Sequence, residues 1–203
     1  MNLQQLIALG GMVGPILYTL IWILGGILQP AYSHIRDDIS SLMAVGAPNK
    51  RLFDIMQLTN IILVIIFFSN LHWAIDGGQG STIGPACFIL TNLINIPVVL
   101  FYPLDEGGEI NSSTAKMHVK LVMIMAVLGA AGMLTLWHRL SNTEGWVWFG
   151  SYSLVTFFVT TITGLIASKY AGTEMMGLTE RLVVTANVQY IFVLALNVFI
   201  TSA

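Results

Sequence analysis

The chain has 203 residues, of which 56% are apolar and only 9% charged. A soluble domain carries roughly 25% charged residues, so most of this surface must face lipid rather than water. The formal net charge of −2 excludes a nucleic-acid binder driven by bulk electrostatics.

The N-terminal run has no Lys or Arg before Arg36. A cleaved signal peptide needs a basic leading region and a short apolar one, so this run is expected to be a retained helix. A spanning helix needs roughly 20 mostly apolar residues. Six stretches qualify: Leu6–Leu28, Ile55–Ile75, Ile83–Phe101, Ala115–Trp137, Trp146–Ser168 and Thr179–Ile200. No linker-like composition break divides them. The expected fold is therefore all-α: a polytopic six-transmembrane-helix bundle in which residues 1–203 form one domain and consecutive helices run antiparallel. The single cysteine, Cys87, cannot form an internal disulfide and reads as a small packing residue.

Between the first and second spans lies AYSHIRDDISSLMAVGAP, Ala31–Pro48. After the charged Arg36, Asp37 and Asp38, the apolar Ile39, Leu42, Met43 and Ala47 recur at helical spacing. The pattern predicts a short amphipathic helix over Ile39–Val45, lying at the membrane surface. Gly10 with Gly14, and the small patch Gly129–Gly132, offer close helix contacts. Trp22, Trp73, Trp137, Trp146 and Trp148 fall mostly near span ends, as interfacial anchors do.

The charges are unevenly distributed. The first, third and fifth loops and adjoining helix ends hold Arg36, Lys50, Arg51, Lys116, Lys120, Lys169 and Arg181; the other side holds only Arg139. This count places the odd loops in the cytoplasm and both termini outside. Most acidic residues share the odd side, although acidic residues contribute little to topology. Arg181 stands in the first turn of the sixth predicted span, where the helix dipole disfavours a cation, so it calls for an anionic partner such as Asp38 or Asp105. Lys116 and Lys120 flank His118 at the start of the fourth span. Three cations beside two helix starts would suit a phosphate or carboxylate head group. The plainer alternatives are a wet, charge-balanced loop surface and lysines that snorkel to the interface.

Four motifs, YSHIRDDISSL, FYPLDEGG, the His opening the fourth span, and GLTERL, together resemble the membrane family known as domain of unknown function 998. The resemblance covers nearly all six spans. It implies a six-helix membrane protein and carries no established activity. Family members often show a second His one turn after the one matched by His118; here that turn holds Leu121 and Val122. Many are also more basic in the second and fourth loops, which implies the opposite orientation, with the motif loops outside.

Several chemistries can be weighed on residue types. His34, Asp38, Asp105 and His118 could be drawn as a metal set, but no HExxH or CxxC spacing supports one. Ser40, His118 and Asp105 supply the types of a serine hydrolase without a GxSxG turn. Haem ligation is disfavoured because His118 and His138, on one helix, stand about 30 Å apart at the membrane edges. Asn60, Asn92, Asn95 and Asn187, with Ser153, Thr156, Thr160 and Thr163, read as interhelical hydrogen-bonding groups. No ionisable residue lies mid-membrane, which disfavours a proton-coupled pump.

The function expected is binding of a membrane lipid, or of another small amphiphilic or anionic ligand, at a polar vestibule formed by loops 1, 3 and 5. Its residues would be His34, Arg36, Asp38, Ser40, Asp105, His118, Glu180 and Arg181, with no metal and no cofactor. The alternative is a membrane-embedded hydrolase or transferase acting on a lipid head group through Asp38, Asp105 and His118. The expected location is a prokaryotic cytoplasmic membrane.

Overall fold

Each of the six apolar stretches forms one helix in the computed structural model, which describes residues 1–202. They are α1 (Leu3–Leu28), α2 (Lys50–Asp76), α3 (Ile83–Phe101), α4 (Ser113–Ser141), α5 (Val147–Tyr170) and α6 (Met176–Thr201). All six are long and apolar enough to cross a membrane. In lipid a backbone must satisfy its own hydrogen bonds, and the helix does so within each segment. The chain is a multi-pass integral membrane protein.

Several helices run past their apolar runs, because polar residues are tolerated once a helix reaches the head-group region. Thus α2 begins at Lys50 and α6 at Met176. The start of α4 is fixed by Ser112, whose hydroxyl accepts from the Ala115 N–H at 3.0 Å. The end of α2 is closed by Gly77 in the left-handed conformation, φ 69°.

Each helix packs along its neighbours in the chain, and α6 closes the ring against α1. The two ends of the chain meet where the Asn2 side chain donates to the Ser202 carbonyl at 2.6 Å. The outer surface is apolar: Val127 and Leu165, for example, are 70% and 69% exposed. Since lipid tails are as apolar as leucine, close packing rather than water exclusion holds the ring together. Gly11, not Gly10, makes the tight α1–α2 contact, since a Cβ there would lie 2.6 Å from the Phe67 ring. Gly132 serves the same purpose against Phe88 of α3.

The interior has two halves. The half toward the second and fourth loops, the even end, is filled by aromatic rings: Phe68 stacks on Phe88 at 4.4 Å, and Tyr190 lies next in the row. Ser153 on α5 meets the Tyr190 hydroxyl at 2.9 Å. The half toward the first, third and fifth loops, the odd end, is partly hollow.

The segment after α1 departs from the surface helix expected of it. It is one 3-10 turn, Ser40–Met43, and its apolar side faces the bundle end rather than lipid. Ile39 and Leu42 are 1% and 0% exposed and pack on Ile21 and Phe53. Gly25 makes room for it, because a Cβ there would sit 2.4 Å from Leu42. The periodicity was that of an amphipathic turn; a gap in the α1 surface decides what its apolar side covers.

Candidate functional site

The start of α6 grips the first loop through four successive carbonyls. The Gly177 N–H donates to the Arg36 carbonyl at 3.3 Å and the Leu178 N–H to that of Ile35 at 2.9 Å. The Arg181 guanidinium donates to the carbonyls of His34 at 2.8 Å and Asp37 at 2.9 Å, to Gly177 of its own helix, and to the Tyr32 hydroxyl. Its charge also faces the rings of Trp22 and Tyr32, at 5.7 and 5.4 Å. In return, the Ile39 N–H donates to the Glu180 carboxylate at 2.7 Å. HIRDDI and GLTERL are thus two sides of one joint.

This changes the reading of Arg181. Because α6 begins at Met176, Arg181 lies in its second turn, beyond the strongest reach of the helix dipole. Its partners are carbonyl oxygens, not a carboxylate. Carbonyls at the bend of a loop present concentrated partial negative charge and match a planar, multi-donor cation.

The third loop seats against the same turn. The Val45 N–H donates to the Leu104 carbonyl at 3.0 Å. Asp105 staples the entry of α4, accepting from the N–H groups of Asn111 and Ser112 at 2.8 Å and from the Ser112 hydroxyl at 2.6 Å. These bonds, with Ser112 foremost, hold its carboxyl below the usual range. Gly107 takes φ 73°, which only glycine adopts easily, and turns the loop back. His118, buried in α4, places Nδ1 2.7 Å from the Tyr102 carbonyl and Nε2 3.3 Å from the Ser40 hydroxyl.

Beneath this joint lies a cavity of about 310 Å³. Ser40, His118 and Glu180 line its odd end. It runs down to Val64, Gly129 and Ile191, about 16 Å below Glu180 at the helical rise per residue. Its walls are mainly apolar, crossed by the amides Gln57, Asn60, Asn92, Asn95 and Asn187. Asp38 sits behind the cavity, 8% exposed, with its carboxylate accepting from the Ser41 N–H at 3.1 Å. Burial pushes that carboxyl above its usual range, against the pull of Ser41 and of the Arg181 charge.

The eight residues singled out from the sequence therefore divide. Ser40, His118 and Glu180 line the cavity, with Asp38 adjoining. Arg181 is the structural hub behind them. His34 packs edge-on against Trp22 and Tyr32. Arg36 is exposed and paired with Asp37 at 2.7 Å. Asp105 is spent on the α4 entry, so Asp38, Asp105 and His118 do not form a trio in the cavity. Among the described residues no three His, Cys, Asp or Glu side chains group as a metal set would.

Sequence reasoning missed Tyr18 and Gln57 as lining residues and assigned the asparagines to interhelical bonds. Asn92 and Asn187 instead donate to carbonyls of their own helices, at 2.9 and 2.8 Å, and turn toward the cavity. The available signal was the shared face of Asn92 and Asn95 on α3, and of Gln57 and Asn60 on α2.

Comparison with curated proteins and with solved structures found no match. The family model described as a protein of unknown function (DUF998) matches residues 12–197, a span that holds every motif of the joint, and the chain belongs to that family.

Proposed function

We propose that this protein binds a lipid or other amphiphile, its polar end at the vestibule formed by loops 1, 3 and 5 and its apolar part in the cavity below. The observation that carries this reading is the cavity: apolar walls inside a membrane bundle, ending at Ser40, His118 and Glu180. Pockets for small molecules measure about 300–1,000 Å³, so about 310 Å³ suits a single chain or a compact amphiphile rather than a two-chain lipid. The test is native mass spectrometry of the full chain purified in a mild detergent, beside Gly129→Leu. Gly129 lines the cavity and a Cβ there meets nothing closer than 3.8 Å, so a side chain placed there enters the space the amphiphile would occupy. A co-purifying amphiphile in the wild type and its loss from folded Gly129→Leu is the expected result. Retention in that variant overturns the reading.

We place the odd loops in the cytoplasm, in a prokaryotic cytoplasmic membrane. Arg51, Lys116, Lys120 and Lys169 stand exposed at the odd end, whereas the only cation of the even end, Arg139, is buried in an ion pair. Cysteine accessibility at position 169 in intact cells tests this.

One observation favours a second reading, an enzyme acting on a lipid head group. The Tyr102 carbonyl can only accept, so the neutral His118 ring carries its proton on Nδ1 and offers Nε2 to the Ser40 hydroxyl. This is the arrangement of a serine activated by a base, with a carbonyl rather than Asp105 as orienter. Labelling of Ser40 by a fluorophosphonate, lost in His118→Ala, would support it; an unlabelled Ser40 would count against it.

A further inference from the structure

We infer that the head group of the bound amphiphile is a cation, an amine or a quaternary ammonium, seated against the Glu180 carboxylate at the odd end of the cavity. The inference rests on the amphiphile reading and names its ligand class. Glu180 uses Oε2 to accept from the Ile39 N–H, at 2.7 Å, while Oε1 has no hydrogen-bond donor among the described residues. Its side chain is half-buried and lines the cavity. A carboxylate oxygen in such a place is left for something that enters.

The nearby charges are a second acidic group and the Arg181 guanidinium, which acts on both carboxyls. The Asp38 carboxyl lies behind the Ile39 N–H and adds a second acidic group close to the first. Among the described residues no Lys or Arg lines the cavity. Arg181 is committed to loop carbonyls, and Lys116 and Lys120 are exposed on the outer side of α4. The amides continue the pattern. Asn92 and Asn187 each spend an N–H on their own helix, and their Oδ1 oxygens have no protein donor among the described residues. The lining therefore includes free acceptor oxygens beside the Glu180 carboxylate, together with the aromatic rings of Tyr18 and Phe88. Acceptors, a carboxylate and aromatic faces are the partners of an organic cation. An anionic head group, which the basic residues of the sequence suggest, would face Glu180 with no cation in the lining to offset it.

The test compares three probes with one tail: dodecyltrimethylammonium, dodecyl phosphate and dodecanol, titrated into the full chain in maltoside detergent and followed by isothermal titration calorimetry. The ammonium probe should bind at least about tenfold tighter than the other two, about 1.4 kcal/mol. Glu180→Gln should erase that preference. Equal or tighter binding of the phosphate or the alcohol by the wild type overturns the cation inference and leaves the amphiphile reading standing. Retention of the preference by folded Glu180→Gln overturns it as well. Failure of all three probes to bind overturns the amphiphile reading itself. The wild-type comparison needs no variant, so it decides between cation and anion even if Glu180→Gln misfolds.

Discussion

Both ends of the bundle are tied by a single buried arginine, and they are tied differently. At the even end Arg139 lies in the last turn of α4, where the helix dipole favours a cation. It donates to the Asp76 carboxylate at 2.7 Å and to the carbonyls of Ser81 and His72 at 2.9 and 3.0 Å, closing the α2–α3 loop. At the odd end Arg181 lies near the start of α6, bonds carbonyls and a phenol, and has no carboxylate within ion-pair distance among the described residues. The even end pairs its buried arginine with a carboxylate and fills its interior with rings. The odd end holds two carboxyl groups, Asp38 and Glu180, that its arginine does not pair, and they adjoin the cavity. A buried charge paired inside a filled end favours stability; unspent carboxyl groups beside a hollow favour binding.

The largest effect is expected at the even end. Arg139→Ala strands Asp76 and several carbonyls in a largely buried site, and breaking a buried pair from one side costs about 3–5 kcal/mol. A large drop in melting temperature in detergent is expected, with ligand binding altered only through loss of fold. Arg181→Ala should cost less, about 2–3 kcal/mol, the scale of hydrogen bonds to a charged group. Its signature should be local: faster hydrogen exchange over residues 31–41, with the aromatic half still protected. Equal loosening of both halves would show that the ends are not separate units.

Gly177→Ala probes the joint by shape alone. A Cβ there would lie 2.3 Å from the Asp37 carbonyl oxygen, a backbone atom that cannot swing aside. The expected loss is about 1–3 kcal/mol, read as a lower melting temperature and weaker retention of any amphiphile. The smallest effect is one of pH. The folded state raises the Asp38 carboxyl above its usual range, chiefly by burial, so folded chains hold that proton more tightly than unfolded ones. Its contribution to stability is fully present below about pH 4 and is lost as the pH rises through the folded value. Asp38→Asn imitates the protonated form. It should match the wild type at low pH and be the more stable of the two near neutrality; a pH-independent difference between them would refute the assignment.

Much of this was legible beforehand. Six runs of apolar residues could only become six helices, because lipid offers a backbone no partner outside itself. The alternation of the spans showed which loops belong to one end. Charge type also marked Arg181 as anomalous, but the carboxylate partner expected of Asp38 or Asp105 is replaced by loop carbonyls. What was not legible is which partners: carbonyl oxygens are present at every residue, and only the path of the loop gathers those of His34–Asp37 around one guanidinium.

The same limit explains Asp105 and the asparagines. Asp105 has the residue type of a catalytic acid and the local partners of a cap, and the cap is set by a turn through Gly107 that brings Ser112 back to it. Asn92 and Asn187 are polar residues in apolar helices whether they bridge helices or face a hollow; periodicity places them on a face but does not say what lies opposite. The six spans, their alternation and the uneven placement of charge follow from hydropathy and chain order along one dimension. The tertiary structure alone decided that the ring closes α6 on α1, that the turn after α1 plugs the bundle rather than floating on lipid, and that a cavity remains under it. Those depend on how side chains of different volume meet across the interior, where Gly25 admits Leu42 and no side chain fills the space below Glu180.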